Sequence, residues 1–319
     1  MKGMRSVLST ALGALLTTIL PAGGAPAQAA PPPPAAAQRS HALPGLAAPP
    51  PAGALPALRA ATALQGLPPP ARREAGSGGS AAVGGEPGGC DAPWSYEGPT
   101  GPPHWGEISP CYAACSGGLS QSPVDLGALD PSRLHAGVFH YGATAVVLVN
   151  NGHTIEADYP PPAGYLVDGA RFDLVEFHFH HPSEHSWRGK RYAMELHLVH
   201  RTPGGLVGVV GVFLEERPSP DNPHLAVLWQ NLPATKGVRT YVPVPFDAGS
   251  LLPSDHHAIR YIGSLTTPPC TEGVRWWVLD QPVPISADQV ARFAALFHDN
   301  SRPLQPLNGR RLLAERPLP

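Results

Sequence analysis

The stretch that decides the fold runs from Glu176 to His200 and reads EFHFHHPSEHSWRGKRYAMELHLVH. It contains six of the chain's fifteen histidines. Side chains alternate between the two faces of an extended strand, so His178 and His180 share one face and the phenylalanines beside them point into the opposite layer. His181 has the wrong parity to join the pair. The first part of the stretch is therefore predicted to be a strand with two histidines on one face.

A second strand is predicted to follow the turn-like sequence at 188–190 and to run from Tyr192 to His200. Alternation along this strand separates its side chains into two sets. One face carries Glu195, His197 and Val199, and the other carries Leu196, Leu198 and His200. His197 thus shares its face with a carboxylate, whereas His200 faces away from it.

If these two strands pair in antiparallel fashion, His178, His180 and His197 converge on one point. Three neutral imidazoles on a rigid sheet, with a fourth position open, are typical of a catalytic zinc site. The alternative is that they are strand histidines with ordinary hydrogen bonds, but an i, i+2 pair with a parity-matched third histidine favours the metal site. The chain has no HExxH motif, so a helical metalloprotease site is not expected.

Beyond this stretch, short β-rich runs recur between Pro and Gly residues, which is typical of a mainly antiparallel sheet with many loops. One convincing helix is predicted from Ser286 to Phe297, with Ser286 as its N-cap. The further runs are Ala145–Asn150, His153–Ala157, Phe172–His180, Leu206–Leu214 and Gly273–Leu279.

Several separated motifs resemble the α-class carbonic anhydrases: FHFH at 177–180, SEH at 183–185, ELHLVH at 195–200 and SLTTPPC at 264–270. The resemblance extends from about Trp94 to the C-terminus. It implies a mainly β (α+β) fold, with a central, twisted, largely antiparallel sheet and short peripheral helices. It also implies that Zn²⁺ is the cofactor and that zinc-bound hydroxide attacks CO2 to form bicarbonate reversibly.

The resemblance implies roles for residues that their local sequence would not reveal. Thr266 is expected to accept a hydrogen bond from the hydroxide and to donate its own proton to Glu184. His153 is expected to shuttle protons. By itself, Thr-Thr-Pro-Pro reads as a turn, and a histidine after Asn-Gly reads as a surface residue. Polar residues expected around the connecting water network are Tyr96, Asn151 and Thr267.

Two carboxylates are candidates for orienting the metal ligands, since metal-bound histidines usually donate their other ring N–H. Glu195 shares a face with His197. Glu176 lies two residues before His178, where the family commonly has glutamine, and is expected to raise the pKa of the zinc-bound water modestly; a solvated Glu176 is the alternative. The resemblance also implies an apolar CO2 pocket formed by Val199, Val209, Leu265, Val274 and Trp276, residues otherwise assigned to the core.

The four cysteines are an even number in a chain that also carries an export-like start, which favours disulfides with three possible pairings. The resemblance implies a bond between Cys115 and Cys270. Cys90 and Cys111 are then left as a second disulfide or as free thiols.

The N-terminus has the order of a secretory signal. Lys2 and Arg5 precede an apolar run at about 7–20, and a small-x-small motif follows at 27–29. Residues 1–29 are therefore predicted to be a signal peptide, with a retained membrane anchor as the alternative, and the protein to be periplasmic or secreted. No later stretch is apolar for long enough to span a bilayer.

Residues 30–89 are dominated by Pro, Ala and Gly and contain no aromatic residue. Such a segment cannot bury enough apolar surface to offset its ordering, so it is predicted to be a disordered linker before a catalytic domain at 90–319. The net charge of −2 gives no electrostatic case for nucleic acid. The resemblance implies a small-molecule substrate, CO2 or bicarbonate, as the partner. The oligomeric state is open.

Three other functions fit parts of the sequence. A non-catalytic relative would keep the fold as a binding module, but such relatives typically lose a metal histidine. A zinc hydrolase acting on esters would use the same metal centre. A cell-surface adhesion protein would use the Pro-rich segment as a stalk, and this does not explain the histidines.

Overall fold

The computed structural model describes residues 90–160 and 162–315. The predicted signal peptide and linker lie outside these residues. Within them, the chain forms a twelve-stranded sheet. Its strands are β1 (Asp130–Pro131), β2 (Val138–His140), β3 (Val147–Asn150), β4 (Ile155–Asp158), β5 (Gly164–Val167), β6 (Ala170–His180), β7 (Met194–Arg201), β8 (Val207–Arg217), β9 (Arg239–Tyr241), β10 (Ala258–Ser264), β11 (Glu272–Ser286) and β12 (Leu313–Ala314).

The helices are short and lie outside the sheet. They are α1 (Trp105–Ile108), α2 (Ala114–Gly117), α3 (Pro223–Trp229) and α4 (Ala287–Ala294), with 3₁₀ turns at Gly98–Thr100, Pro102–His104, Pro110–Tyr112 and Ala248–Leu251. The strand order is β1-β12-β10-β11-β8-β7-β6-β4-β3-β9, and β5 pairs with both β2 and β6. The predicted mainly β fold with short peripheral helices is confirmed.

Most neighbouring strands run antiparallel, as predicted, but the sheet is mixed. β8 pairs with β11 in parallel over a long register that includes Val209 opposite Trp276, and the short β1 and β12 are also parallel. A parallel pair needs a crossover rather than a hairpin. The chain between β8 and β11 supplies it with α3, β9 and β10.

The core lies against the face of the sheet opposite the histidines. On β6, Phe177 and Phe179 are buried in the main apolar cluster, and on β7 the same cluster contains Leu196 and Leu198. Burial of this face stabilises the strand pair and sets its parity, because a slip of one residue would turn these side chains outward.

The sequence located most of these elements but not their ends. The strand predicted to begin at Tyr192 begins at Met194, after a tight turn in which Arg188 and Gly189 have positive φ. The predicted C-terminal helix is α4, and Ser286 caps it through a reciprocal pair of bonds with Gln289. This helix ends at Ala294 rather than at Phe297.

Two disulfides link the described cysteines, Cys90 to Cys111 and Cys115 to Cys270. Cys115 and Cys270 are buried in a small cluster with Trp105 and Tyr112. The longer bridge joins α2 to the loop after β10, which brings Thr266 near the sheet. No helix among the described residues is long and apolar enough to cross a membrane.

Removal of the longer disulfide should destabilise the fold measurably. Replacing Cys115 and Cys270 together by serine should lower the free energy of unfolding by about 2–4 kcal/mol, because the bridge spans 155 residues and restricts the unfolded chain. Chemical denaturation measures the change.

The matched control is the double serine variant at Cys90 and Cys111, whose bridge spans only 21 residues. Loop-closure entropy predicts a loss smaller by about 2 kcal/mol for this variant. Equal losses in the two variants would contradict the loop-length argument.

Candidate metal centre

The register of β6 and β7 assembles the three histidines. His178 lies directly opposite His197, and His180 lies opposite Glu195 in the antiparallel ladder. Each of the three rings offers a nitrogen, and these nitrogens all lie within 4.8 Å of one another. The structure therefore brings together the histidines that strand parity singled out.

Two of these rings each use one nitrogen in a hydrogen bond and leave the other free. Nδ1–H of His178 donates to Oε2 of Glu176 at 2.9 Å, and Nδ1–H of His180 donates to the Asn300 carbonyl at 2.7 Å. Nε2 is thus the free nitrogen on both rings. Such bonds fix the tautomer and orientation that a metal ligand requires.

His197 is oriented the other way round, through Glu195. Its Nε2–H donates to Oε1 of Glu195 at 2.9 Å, which leaves Nδ1 free. Glu195 also accepts from Nδ1 of His185 at 2.7 Å and from the His185 backbone N–H at 2.8 Å. Burial alone raises a carboxyl pKa, but the charges and hydrogen bonds of His185 and His197 outweigh it and hold the pKa of Glu195 well below its ordinary value.

The trio His185, Glu195 and His197 also has its ligand atoms within 4.8 Å of one another. These atoms already bond to each other, and Nε2 of His185 bonds to the Tyr261 hydroxyl at 2.7 Å. We therefore assign this trio to support of the centre rather than to a second ion.

Burial sets the protonation of two of the candidate ligands. It lowers the pKa of His180 to about 3 and the pKa of His197 to about 4, so both are neutral at pH 7 as metal ligands must be. At His178 burial also acts downward, but the charge and hydrogen bond of Glu176 outweigh it and the pKa is raised. The basicity of His178 therefore depends on its carboxylate partner.

The donor set fits a cation. Nε2 of His180 is buried and has no hydrogen-bond partner among the described residues, which is costly in a folded protein unless another group occupies the site. Oε2 of Glu184 is likewise buried and unpartnered there, and it lies 3.5 Å from that nitrogen. Three convergent imidazole nitrogens match the ligands that zinc prefers.

Glu184 and Thr266 lie beside the three histidines. Glu184 is fully buried, and its Oε1 accepts the Arg302 backbone N–H at 2.8 Å. Burial raises its pKa, opposed by the charge of His197 and by a hydrogen bond from Thr266. Thr266 itself is on the loop that the Cys115–Cys270 disulfide anchors.

The centre lies in a pocket of about 250 Å³. The lining includes the three histidines and most other residues predicted for the site: Tyr96, Asn151, His153, Glu176, Val199, Val209, Leu265, Thr266, Thr267 and Trp276. Val274 was expected on the same wall. It is buried in the apolar cluster that also contains Val209 and Trp276, but it is not among the residues that line the pocket.

His153 lies in the turn between β3 and β4, on the pocket wall. Its backbone is held by Asn151 Oδ1, which accepts its N–H at 2.9 Å, and by Asn300, whose side-chain amide donates to its carbonyl at 2.9 Å. Partial burial and the charge of Lys236 lower the pKa of His153. The ring is therefore mostly neutral at neutral pH.

The sequence reasoning missed three residues of this region. Asn300 orients His180 from 120 positions away, and Trp94 stacks on His153. Glu156 lies opposite His178 on β4 and lines the pocket; burial, followed by the charge of Glu176, raises its pKa. Each of the three reaches the site through a contact between separate segments, which no local sequence signal marks.

Taken together, the structure defines a class of β-sheet protein in which three histidines from two adjacent strands form a candidate metal centre in a pocket with an apolar wall. The family model for eukaryotic-type carbonic anhydrase matches residues 100–316. A carbonic anhydrase from Nostoc sp. is 43% identical over 223 residues, covering 68% of this chain and 84% of that protein.

Another carbonic anhydrase, from Klebsiella pneumoniae, is 43% identical over 220 residues, covering 68% of this chain and 89% of that protein. The solved structure of the α-carbonic anhydrase from Thermovibrio ammonificans, in complex with the inhibitor sulfanilamide, superposes with a TM-score of 0.68 at 42% identity. The superposition covers 70% of this chain and 99% of the solved chain. The chain belongs to the α-carbonic anhydrase family of enzymes.

Proposed function

We propose that the protein catalyses the reversible hydration of CO2 to bicarbonate and a proton, with Zn²⁺ held by His178, His180 and His197. The observation that carries this proposal is the convergence of the three histidines: each offers a ring nitrogen within 4.8 Å of the others, and each has one ring nitrogen hydrogen-bonded to a protein acceptor. Bound there, zinc would act as a Lewis acid that makes water nucleophilic near neutral pH. The open side of the centre faces the pocket.

Thr266 and Glu184 orient the reacting groups. The Thr266 hydroxyl donates a hydrogen bond to the buried Glu184 carboxylate, so toward the pocket Thr266 can act only as an acceptor. Glu184 is held in place by the Arg302 backbone N–H. A group bound beside the metal can therefore bond to Thr266 only by donating a hydrogen bond to it.

The apolar wall excludes water and receives the substrate. Val199, Val209, Leu265 and Trp276 line the pocket beside the histidines. CO2 has no charge and no hydrogen-bond donor, so an apolar surface binds it without leaving a polar group unsatisfied. Bicarbonate, which is charged, is held less well by the same wall, and this favours product release.

His153 carries the proton out of the pocket. Its lowered pKa keeps the ring neutral at the pH at which a proton must be accepted, and its place on the pocket wall exposes it to external buffer. Asn151, Tyr96 and Thr267 supply polar groups around the path. His153 gains one proton from the pocket and loses one to solvent, so it is unchanged after each turnover.

The two disulfides support an oxidising compartment. We propose that residues 1–29 direct export, that residues 30–89 are a linker and that the enzyme acts in the periplasm or outside the cell. No observation favours nucleic acid as a partner, and CO2 and bicarbonate are the small molecules proposed.

The decisive test measures zinc content and CO2 hydration of the purified full chain before and after chelation. We expect about one zinc per chain, activity lost with the metal and activity restored by zinc. His180→Ala should lose both zinc and activity, because it removes a ligand. His181→Ala, which changes a neighbouring histidine of the wrong parity, should keep both; bound zinc without CO2 hydration would refute the proposed reaction.

His153→Ala should slow turnover in weak buffer. General acid–base groups contribute ~10²–10⁴-fold, and water and buffer still accept protons here, so we expect a loss near the low end, about 10²-fold. Added imidazole should restore the rate, because it replaces the missing acceptor. Stopped-flow CO2 hydration measures both effects, and wild-type turnover of the variant in weak buffer would remove His153 from the mechanism.

Glu176→Gln should move the midpoint of the pH–rate profile to lower pH. An amide makes His178 a weaker electron donor than a carboxylate does, and we expect a shift of less than about one pH unit, or about 1.4 kcal/mol. Glu156→Gln is the matched control, because it removes the same charge from the pocket without a hydrogen bond to a ligand histidine. An unchanged midpoint in Glu176→Gln would show that the Glu176 carboxylate does not raise the pKa of the zinc-bound water.

A further inference from the structure

The first residues that the structure describes, 90–96, form a strap that lines the pocket through Trp94 and Tyr96 and a neighbouring cleft through residues 90–94. The strap is tied at one place by two adjacent residues. Cys111 bonds covalently to Cys90, and the hydroxyl of Tyr112 donates to the carbonyls of Ala92 at 2.8 Å and Cys90 at 3.1 Å. Tyr112 is itself buried, so the strap is fixed to the body of the domain.

Trp94 on this strap contacts His153. The two rings are stacked, with centroids 3.7 Å apart and planes 10° from parallel. Behind Trp94 lies Trp105, fully buried, at 5.2 Å and in an edge-on arrangement, and its Nε1–H donates to the carbonyl of Ser95 at 2.9 Å. The indole of Trp94 therefore packs against both the Trp105 ring and the imidazole of His153.

The backbone of His153 is anchored on both sides by Asn151 and Asn300, so only rotation of its side chain remains free. The ring borders the zinc pocket and two outer clefts. Its position relative to Trp94 therefore decides which of these spaces its nitrogens reach. Besides the hydroxyls of Tyr96 and Tyr112, the charged or titratable groups lining the outer clefts are Asp91, Lys236, Glu97, His298 and Asp299.

We propose that the Cys90–Cys111 disulfide positions His153 for proton transfer, by holding Trp94 stacked on the imidazole. This inference rests on the proposed function, since it assigns the disulfide to the proton exit of that reaction. Cys90, Cys111 and Trp94 are positioning residues: none of them touches the reacting atoms, and each acts through His153. The proton still enters and leaves on the ring nitrogens, with no change of oxidation state.

The location of the bridge favours this local role over general stabilisation. It spans only 21 residues and Cys90 is exposed, whereas the other bridge spans 155 residues and both of its cysteines are buried in the cluster against which Cys111 packs. Short loops restrict the unfolded chain least, so the first bridge adds less to stability. This bridge does restrict the backbone of residues 90–94.

The test uses the zinc-loaded full chain with Cys90→Ser and Cys111→Ser together. Without the covalent tie the strap is held by hydrogen bonds alone, so Trp94 should cover His153 less completely. Because burial is the main cause of the lowered pKa of His153, that pKa should rise toward the ordinary value. NMR titration of the imidazole Cε1–H signal measures the shift. Turnover in weak buffer should fall several-fold and recover with imidazole, while kcat/KM and zinc content stay unchanged, since CO2 binding and the metal site are not altered.

Two further variants make the result specific. Trp94→Ala, with the disulfide intact, should reproduce both effects, and Trp94→Phe should restore them in part because it keeps a stacking ring. Glu107→Gln, an exposed change on α1 within the same segment, should alter neither. If the serine variant does not fold, Trp94→Ala still tests the stack.

An unchanged His153 pKa together with unchanged weak-buffer turnover in the serine variant would overturn the inference. Failure of the proposed function would look different. A shifted His153 pKa in the serine variant, combined with full turnover of His153→Ala in weak buffer, would support positioning by the strap and overturn the proton shuttle.

Discussion

The pairing of β6 with β7 is the constraint on which the rest of the structure depends. In this register His178 faces His197, and the phenylalanine and leucine side chains of the same two strands fill the core behind them. A one-residue slip would expose the core and disperse the histidines in the same movement. Apolar burial therefore stabilises the geometry of the centre as well as the sheet, and the two cannot vary independently.

Buried hydrogen bonds then fix the orientation of the three rings. Each ring gives one N–H to a protein acceptor: the Glu176 carboxylate, the Asn300 carbonyl or the Glu195 carboxylate. The three rings offer nitrogens within 4.8 Å of one another, and Nε2 of His180 has no hydrogen-bond partner within residues 90–160 and 162–315. Glu195 stays ionised in the core because it is surrounded by donors from His185 and His197. Without such donors a buried carboxylate would be costly.

Thr266, His153 and Trp94, to which we assign roles toward the substrate and the proton, lie outside the strand pair and are held by long-range links. The Thr266 loop is joined to α2 by one disulfide, and the strap that carries Trp94 is joined to Cys111 by the other. Asn300 reaches back to bond both His180 and the backbone of His153. Loops held in this way can place functional groups with the accuracy of a sheet while staying at the surface.

Strand parity in one 25-residue stretch was enough to determine the three candidate ligands and the carboxylate beside His197, because alternation is a local property of extended backbone. Sequence motifs also determined the family. The parallel pairing of β8 with β11, the burial of Val274 and the contacts of Asn300 and Trp94 were decided only by the tertiary structure. These depend on which segments meet across gaps of tens to more than a hundred residues, and no periodicity in the chain records such meetings.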